Sequence, residues 1–220
     1  IYDGVPTETE EDQIQTYLAV KYGITLAGED YTHSDGSTVI WDYSSYSAYH
    51  NGIAGIGRDD NSGLHQKQSK SANYGTVLTI STEAIAATNA ANGTSLTNGT
   101  YLLWGHNNPS SSAYADLPTG GGYTGRLQKE WVVEMTGTVA NVHVEFDLSD
   151  QHLNLAGDAA SDFYILTDAD GDFTSGATAT AATSFSGNKV TFDDFNFSDG
   201  QYFTLATKQS APGGIASGLH

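Results

Sequence analysis

Apolar residues follow helical spacing in one segment, close to the N-terminus. Thr7 and Glu10 have the spacing of a capping box, acidic residues fill the first turn, and Gly23 is a typical helix stop. The residues that recur at helical spacing between these signals are Ile14, Tyr17, Leu18 and Lys21. We therefore expect one N-terminal helix that lays an apolar stripe on a sheet.

The rest of the chain has the pattern of short β-strands. Runs rich in β-branched and aromatic residues span 37–43, 76–81, 101–105, 130–135, 141–148, 162–168, 189–195 and 201–207. In the run 141–148 apolar and polar positions alternate, which indicates a strand with one buried face. The apolar positions are Val142, Val144, Phe146 and Leu148, and the polar ones are His143, Glu145 and Asp147.

Together these runs predict an all-β protein: an antiparallel β-sandwich, lectin-like or jelly-roll-like, with one N-terminal helix. We expect long calcium-stabilised loops, with loop segments over 84–100 and 109–125. A single ligand-binding domain over 1–208 and a flexible tail or linker over 209–220 complete the expected organisation. The chain begins at Ile1 with no signal peptide, which favours a module of a larger protein.

The net charge of the chain limits the binding partners that are plausible. Aspartate and glutamate number 26 against 8 lysines and arginines, which gives a formal net charge of −18. A chain this acidic repels nucleic acid and anionic membranes, and no segment is apolar enough for membrane insertion. Calcium is the expected counter-ion, because it is a hard cation that takes about six to eight oxygen ligands. An acidic surface that serves only solubility is the alternative.

Cysteine is absent, which excludes disulfides, zinc–thiolate sites and thiol catalysis. An acidic chain without cysteine, rich in Gly, Ser, Thr and Asn, suits a secreted bacterial protein that calcium stabilises. The expected location is therefore extracellular, at the bacterial surface.

The segment "TDADGDF" carries the strongest metal signal. Asp168, Asp170 and Asp172 alternate around Gly171, as at the start of an aspartate-rich calcium loop. The EF-hand continuation fails, because Ala179 stands where a bidentate glutamate is required. We therefore expect a calcium site in a β-hairpin, and a plain Asp-Gly turn is the alternative.

Other acids are candidate calcium ligands outside that loop. They are Asp162, in the neighbouring acidic segment, Asp42, and the adjacent pair Asp59 and Asp60. For Asp42, capping of a turn is an equally good interpretation.

The stretch "GIGRDDNSGLHQKQS", residues 55–69, joins an arginine–aspartate pair to a series of amide and basic side chains. A dinucleotide loop is a weak interpretation, because the third glycine is misplaced and two aspartates would face a pyrophosphate. A tight turn at Asn61, Ser62 and Gly63 accounts for only part of the stretch. The density of fixed donors and acceptors favours a recognition surface.

Spacing argues against catalysis. Glu130 and Glu134 share a face of a predicted strand but lie roughly 13 Å apart along it. Glu145 and Asp147 lie roughly 7 Å apart at the backbone, within the range for an inverting glycosidase, although solvation is the simpler explanation. Neither Gly-x-Ser-x-Gly nor His-Glu-x-x-His occurs. We therefore expect no enzymatic activity.

Several segments together resemble one known family. They are "IQTYLAVKYGITL", "DGSTVIWD", "NGIAGIGRDDNSGLHQKQSKS", "YLLWGHNN", "RLQKEWVVE" and "YILTDADGDF", in this order. The resemblance is to the calcium-dependent peptide-binding domain of giant RTX adhesins of Gram-negative bacteria, and to related lectin-like bacterial surface domains. It extends from about Asp12 to Lys208.

This resemblance implies a β-sandwich that holds several calcium ions and binds the free C-terminal end of host surface proteins. A terminal carboxylate can bind calcium directly, and Arg58 could hold it through two parallel hydrogen bonds. The residues expected to contact the ligand are Arg58, Asn61, Gly63, His65, Gln66, Gln68, Trp104, His106 and Asn107. A core position for Trp104 is the alternative to ligand contact.

The expected function is therefore non-enzymatic, calcium-dependent adhesion. Host peptide C-termini and the neighbouring domains of a large adhesin are the expected partners, and the module itself is expected to be monomeric. A calcium-dependent lectin is the second interpretation, in which calcium binds vicinal hydroxyls of a sugar. A glucanase-like hydrolase that uses Glu145 and Asp147 is a distant third.

Overall fold

The computed structural model describes residues 5–109, 116–149 and 159–208, so the predicted tail 209–220 lies outside the described residues. Helix α1 (Glu8–Tyr22) begins and ends as the sequence predicts: Thr7 and Glu10 form the capping box, and Gly23 adopts the left-handed conformation with φ of 64°. No helix in these ranges combines the length and apolar character that crossing a bilayer requires.

The face that α1 buries differs from the predicted stripe. Thr16, Ala19 and Val20 pack inward, whereas Leu18 is 42% exposed. Lys21 also points outward, to the hydroxyl of Tyr17. The predicted stripe was therefore wrong for Leu18 and Lys21, because the helix approaches the sheet through its small residues.

All strand pairs among the described residues are antiparallel. The strands are β1 Tyr31–Thr32, β2 Val39–Trp41, β3 Asn51–Asp59, β4 Leu64–Gln66, β5 Gln68–Lys70, β6 Leu78–Ser81, β7 Tyr101–His106, β8 Gly125–Arg126, β9 Trp131–Thr136, β10 Val142–Asp147, β11 Phe163–Asp168, β12 Thr178–Ala181, β13 Ser184–Ser186, β14 Lys189–Phe195 and β15 Tyr202–Thr207. A short helix α2 (Tyr43–Tyr46) follows β2, and 3₁₀ turns span Ser47–Tyr49 and Ala160–Asp162.

The strands form a large sheet, a small sheet and a ribbon. The large sheet has the order β12-β11-β15-β9-β7-β3-β4, with β8 also paired to β15. The small sheet has the order β13-β14-β10-β6-β5, and β1 pairs with β2 in the ribbon.

The two sheets share one hydrophobic core, which confirms the predicted β-sandwich. Trp104, Trp131 and Phe203 of the large sheet belong to the same buried cluster as Phe146 and Phe192 of the small sheet. The predicted apolar face of β10, which includes Val142 and Val144, is fully buried in this cluster.

The large sheet is covered on both faces, which explains why β7 is a continuous buried run. Leu102 and Trp104 face the small sheet, whereas Tyr101 and Leu103 face α1 and the ribbon. These alternating directions place the residues of β7 and its neighbour β3 either in the sandwich core or beneath the helix.

Two glycines of β3 make room for side chains of β7. A Cβ on Gly57 would lie 2.2 Å from the ring of Tyr101, and one on Gly55 would lie 2.7 Å from Leu103. Each of these bulky residues is the cross-strand partner of the glycine it covers. The Gly-x-Gly pattern therefore serves packing beneath α1 and is not a phosphate loop.

We predict that Gly57→Ala lowers the free energy of unfolding by about 1–3 kcal/mol, because the added methyl group overlaps a ring that is itself fully packed. Chemical denaturation monitored by circular dichroism measures the change. Gly63→Ala is the control for steric overlap, since nothing lies within 4 Å of the Cβ position of Gly63. Any loss of stability in this control comes from backbone strain, because Gly63 has a φ of +72°. Equal stability of Gly57→Ala and the parent chain would contradict the packing role.

Candidate functional site

Arg58 is engaged by the protein's own groups. Its Nε and Nη2 atoms donate to the two carboxylate oxygens of Asp60 at 2.7 and 3.1 Å. Its Nη1 donates to Ser95 Oγ at 3.2 Å and to the carbonyl of Leu96 at 3.1 Å. Arg58 therefore ties the turn after β3 to the 82–100 loop, and a ligand carboxylate here would have to displace Asp60.

Asp59 lies apart from Asp60, under α1. Its Oδ1 accepts hydrogen bonds from Ser34 Oγ and from the N–H groups of Asn61 and Ser62. These bonds close the turn at 60–63, where Gly63 has a φ of +72°. The turn predicted at Asn61 to Gly63 is therefore present, and Asp59 and Asp60 do not face a common point.

The polar side chains of 65–68 hold the 82–100 loop in place. Gln68 exchanges two hydrogen bonds with the backbone of Ala86, at 2.8 and 2.9 Å. His65 Nε2 accepts from the N–H of Leu96 at 3.2 Å, and Gln66 donates to the carbonyl of Gln68 at 2.8 Å. The amide density of this stretch thus supports a neighbouring loop within the same chain.

The residues of 104–107 that were predicted to contact a ligand also interact within the protein. Trp104 is 1% exposed in the sandwich core, which agrees with the core alternative. His106 Nδ1 accepts from the N–H of Asn108 at 3.0 Å, and burial, aided by the charge of Lys129, lowers the pKa of His106 to about 3. Asn107 Oδ1 accepts from the N–H of Glu130 at 3.1 Å.

In the 168–172 loop, each aspartate caps a successive turn. Asp168 Oδ1 accepts from the N–H groups of Asp170 and Gly171, at 2.9 and 3.2 Å. Asp170 Oδ1 accepts from the N–H of Asp172, and Asp172 Oδ1 accepts from Thr174. Gly171 has a φ of +84°, as the sharp turn requires. Each of the three acids keeps its second carboxylate oxygen outside these bonds.

Asp42 and Asp162 likewise act as caps. Asp42 begins α2 and accepts from Ser44 and Ser45, and the hydroxyl of Ser44 chiefly lowers its pKa to about 2. Asp162 accepts from the N–H of Ala159 at 2.8 Å. In the part of the chain that the structure describes, no group of three or more histidines and acids converges as a ready metal site.

A cleft of about 310 Å³ lies next to Asp168, the first aspartate of the 168–172 loop. It is lined by Thr167, Asp168, Ala169, Gly176, Thr178, Ser198, Asp199, Gly200 and Gln201. Asp168 is only 7% exposed; its Oδ1 accepts the turn hydrogen bonds, and its carboxyl also lies within hydrogen-bonding reach of the Asp170 carboxyl. The cleft thus combines a buried carboxylate with a second one, Asp199, and no lysine or arginine lines it.

Asp199 was not predicted as a site residue, although the acidic segment 194–200 that contains it is visible in the sequence. Asp199 Oδ1 accepts from the N–H of Met135 at 2.8 Å, which fixes the turn between β14 and β15 beside β9. The spatial proximity of this turn to Asp168 depends on β15 pairing with β11, where Tyr202 lies opposite Asp168.

Glu134 lies on β9, close enough to Asp199 to be affected by its charge. Its Oε2 accepts from the N–H of Asp42 at 2.7 Å. Burial raises the pKa of Glu134 to about 7, and the nearby charges of Asp199, Asp42 and Asp30 add to the increase. Among the described residues, no lysine or arginine forms an ion pair with Glu134.

Arg126 forms a buried ionic centre that no sequence motif indicated. Its guanidinium donates to Asp116 and, at 2.6 Å, to Glu130. Glu130 also accepts from the hydroxyl of Tyr49 at 3.1 Å, and the ring of Phe173 lies 5.2 Å from the guanidinium carbon. Phe173 directly follows the 168–172 loop, so its contact with Arg126 links the loop to this ionic group.

The hydrolase interpretation relies on Glu145 and Asp147, which lie on the outer face of the small sheet. Lys189 lies 2.7 Å from Glu145 and 3.8 Å from Asp147. Both carboxylates therefore share one surface lysine, as in an ordinary polar sheet face.

The fold and the cleft define an antiparallel β-sandwich domain with an acidic cleft at one end of β11. A family model described as Domain of unknown function (DUF8202) matches residues 10–201, and the chain belongs to this family. No curated protein and no solved structure matches the chain.

Proposed function

We propose that this chain is a non-enzymatic binding module that uses calcium, with its ligand site in the cleft beside Asp168. One observation supports the proposal above the others: a nearly buried aspartate, Asp168, lines a cleft together with a second aspartate, Asp199, and no basic side chain lines that cleft. A buried carboxylate is stabilised by a cation or by several hydrogen bonds. Asp168 accepts two backbone hydrogen bonds and lies beside the Asp170 carboxyl, and a cation would stabilise both acids.

The residues of the cleft fit a hard cation. Asp168 and Asp199 both line the cleft, and carboxylate oxygens are ligands that calcium prefers. When bound, calcium would neutralise the two acids and attract an anionic or hydroxyl-bearing ligand group. The loop 168–172, held by its capping bonds, keeps Asp168 fixed for this purpose.

The preferred ligand is the free C-terminal carboxylate of a peptide on a host surface protein, as the resemblance implies. Asp60 already pairs with Arg58, so the proposal places the ligand carboxylate on calcium in the cleft and not on Arg58. The proposal places the chain at the bacterial surface as a module of a larger adhesin.

A carbohydrate ligand is the second candidate. Hydroxyl-bearing residues line the cleft, namely Thr167, Thr178 and Ser198, together with the amide of Gln201. Such groups are typical partners of sugar hydroxyls, which calcium can also bind as vicinal pairs. Affinity for a peptide with a free terminus but not for its amidated form supports the first candidate; competition by simple sugars supports the second.

We predict that calcium raises the melting temperature of the chain and that Asp168→Asn removes most of this increase. A ligand that binds only the folded state at 100 times its Kd adds about 2.7 kcal/mol of stability. Asparagine keeps the Oδ1 acceptor for the turn but loses the charge. Thermal unfolding with calcium and with chelator measures the effect.

Asp35→Asn is the matched control, because Asp35 Oδ1 also caps a turn, at Ser37 and Thr38, in a segment that does not line the cleft. The control should keep the full response to calcium. An unchanged melting temperature of the parent chain with calcium, or an equal response of both variants, would contradict the proposal.

A further inference from the structure

A second cavity lies beneath α1 and shares no lining residue with the acidic cleft. Its volume is about 10 Å³, close to what one water molecule requires. Thr16 of α1, His33 after β1, Asp59 at the end of β3 and Tyr101 at the start of β7 are among its lining residues. Separate parts of the fold therefore meet at this cavity.

His33 directs an unpartnered nitrogen into the interior. Its Nδ1 accepts from the N–H of Asp35 at 3.1 Å and lies 3.4 Å from Asp35 Oδ2. The hydrogen bond from the backbone assigns the proton of the neutral ring to Nε2. The Nε2 atom is buried and has no hydrogen-bond partner among the described residues. The nearest carboxylate oxygen, Asp59 Oδ1, is 3.7 Å away, which is too long for a direct hydrogen bond.

Two further polar groups at the cavity have unused hydrogen-bonding capacity. Tyr101 is 1% exposed, and among the described residues its hydroxyl has no hydrogen-bond partner. Burial, with the nearby charges of Asp59 and Asp35, raises the pKa of this hydroxyl, so it remains a donor. Ser34 and the N–H groups of Asn61 and Ser62 donate to Asp59 Oδ1, and the Ser62 hydroxyl also lies close to this carboxylate. A carboxylate has about four acceptor positions on its two oxygens, so Oδ2 can still accept from a water.

We propose that this cavity is a specific binding site for one water molecule, which accepts from His33 Nε2–H and donates to the Asp59 carboxylate. The Tyr101 hydroxyl is its third partner. A bridging molecule must both accept and donate here, and water does both. A metal ion suits the site poorly, because among the described residues no group of three or more histidines and acids converges there.

This assignment gives Asp59 a role different from the calcium ligation expected from sequence. The water would join the segment after β1 to β3 and β7, and so fix the ribbon and α1 against the large sheet. Buried water that makes about three hydrogen bonds is a regular part of protein structure and is costly to remove. The proposal does not depend on the function proposed for the cleft.

Nuclear magnetic resonance tests the site directly. We expect the ¹⁵N shifts of His33 to show the proton on Nε2, and a nuclear Overhauser effect between that proton and a long-lived water. A proton on Nδ1, or no water contact to Nε2–H, would overturn the proposal. In a high-resolution crystal structure, ligand distances of about 2.0–2.2 Å to His33 would indicate a metal and would also overturn it.

A double-mutant cycle provides the second test. Tyr101→Phe and Asp59→Asn each remove one partner of the same water, so we expect their losses of melting temperature to be clearly non-additive. Tyr31→Phe combined with Asp59→Asn is the control, because the Tyr31 hydroxyl bonds directly to Leu26 N–H and Ile24 C=O. Additive losses in both pairs would overturn the proposal.

Discussion

Replacing Arg126 with methionine is expected to lower the free energy of unfolding by about 3–5 kcal/mol, a larger loss than we expect from the other single substitutions. Arg126 is 4% exposed, and it is the cation that faces both Asp116 and Glu130. Its Nη1 also donates to the carbonyl of Leu127 at 2.8 Å. Removing the guanidinium leaves Glu130, whose side chain is only 15% exposed, and the more exposed Asp116 without their cation.

The matched control is Arg58→Met, which removes an arginine from the more exposed pair with Asp60. This change should cost about 1 kcal/mol, since Asp60 remains solvated after the arginine is lost. Urea denaturation of both variants gives the comparison. Similar losses for the two variants would show that burial does not set the strength of the Arg126 centre.

A double variant distinguishes the loss of the Arg126 ion pairs from the cost of leaving the Glu130 carboxylate without a cation. Arg126→Met combined with Glu130→Gln should recover part of the stability, because one uncompensated carboxylate is removed. Tyr49 can still donate to the amide oxygen of a glutamine at this position. No recovery would indicate that packing against Phe173, and not charge, dominates the effect.

The second large effect is expected for Glu134→Gln, which should stabilise the chain at pH 8 by about 1–2 kcal/mol. The folded-state pKa of Glu134 is raised from 4.5 to about 7, chiefly by burial. A raised pKa means that folding favours the protonated form. Its stabilising contribution is therefore complete below about pH 4.5 and is lost as the pH rises through about 7. The magnitude is reduced from the full shift because the side chain is partly solvated.

Glutamine preserves the acceptor for the N–H of Asp42 while removing the ionisable group. The difference in unfolding free energy between Glu134→Gln and the parent should grow between pH 5 and 8, measured by denaturation at each pH. Glu29→Gln, at an exposed loop position, is the control for removing one negative charge from this acidic chain. A difference that is constant with pH would contradict the assignment of Glu134.

Local signals in the sequence were sufficient for the helix and for eight of the fifteen strands that the structure describes. The capping box at Thr7 and the stop at Gly23 set both ends of α1, and β10, β11, β14 and β15 lie where their apolar patterns predict. Strand β3 was not predicted, because its glycines are typical of a loop. That they lie beneath Tyr101 and Leu103 of the neighbouring strand is visible only in the structure.

The candidate site was harder to predict because side-chain partners come from distant segments. The acids and amides of 55–69 suggested a ligand surface, yet Ser95, Leu96 and Ala86 occupy many of their hydrogen-bonding groups. Nothing local distinguishes an amide that binds a ligand from one that binds a loop of its own chain.

The sequence by itself determined the fold class, the capped helix, the turn after β3 and the capping of turns by aspartate, because these depend on residues within a few positions of each other. Only the tertiary structure decided that Asp199 lines the cleft with Asp168, that the buried Arg126 pairs with Asp116 and Glu130, and that Asp59 and Asp60 have different partners. These depend on which strands pair and on what covers each face of the sheet, and long-range packing sets both.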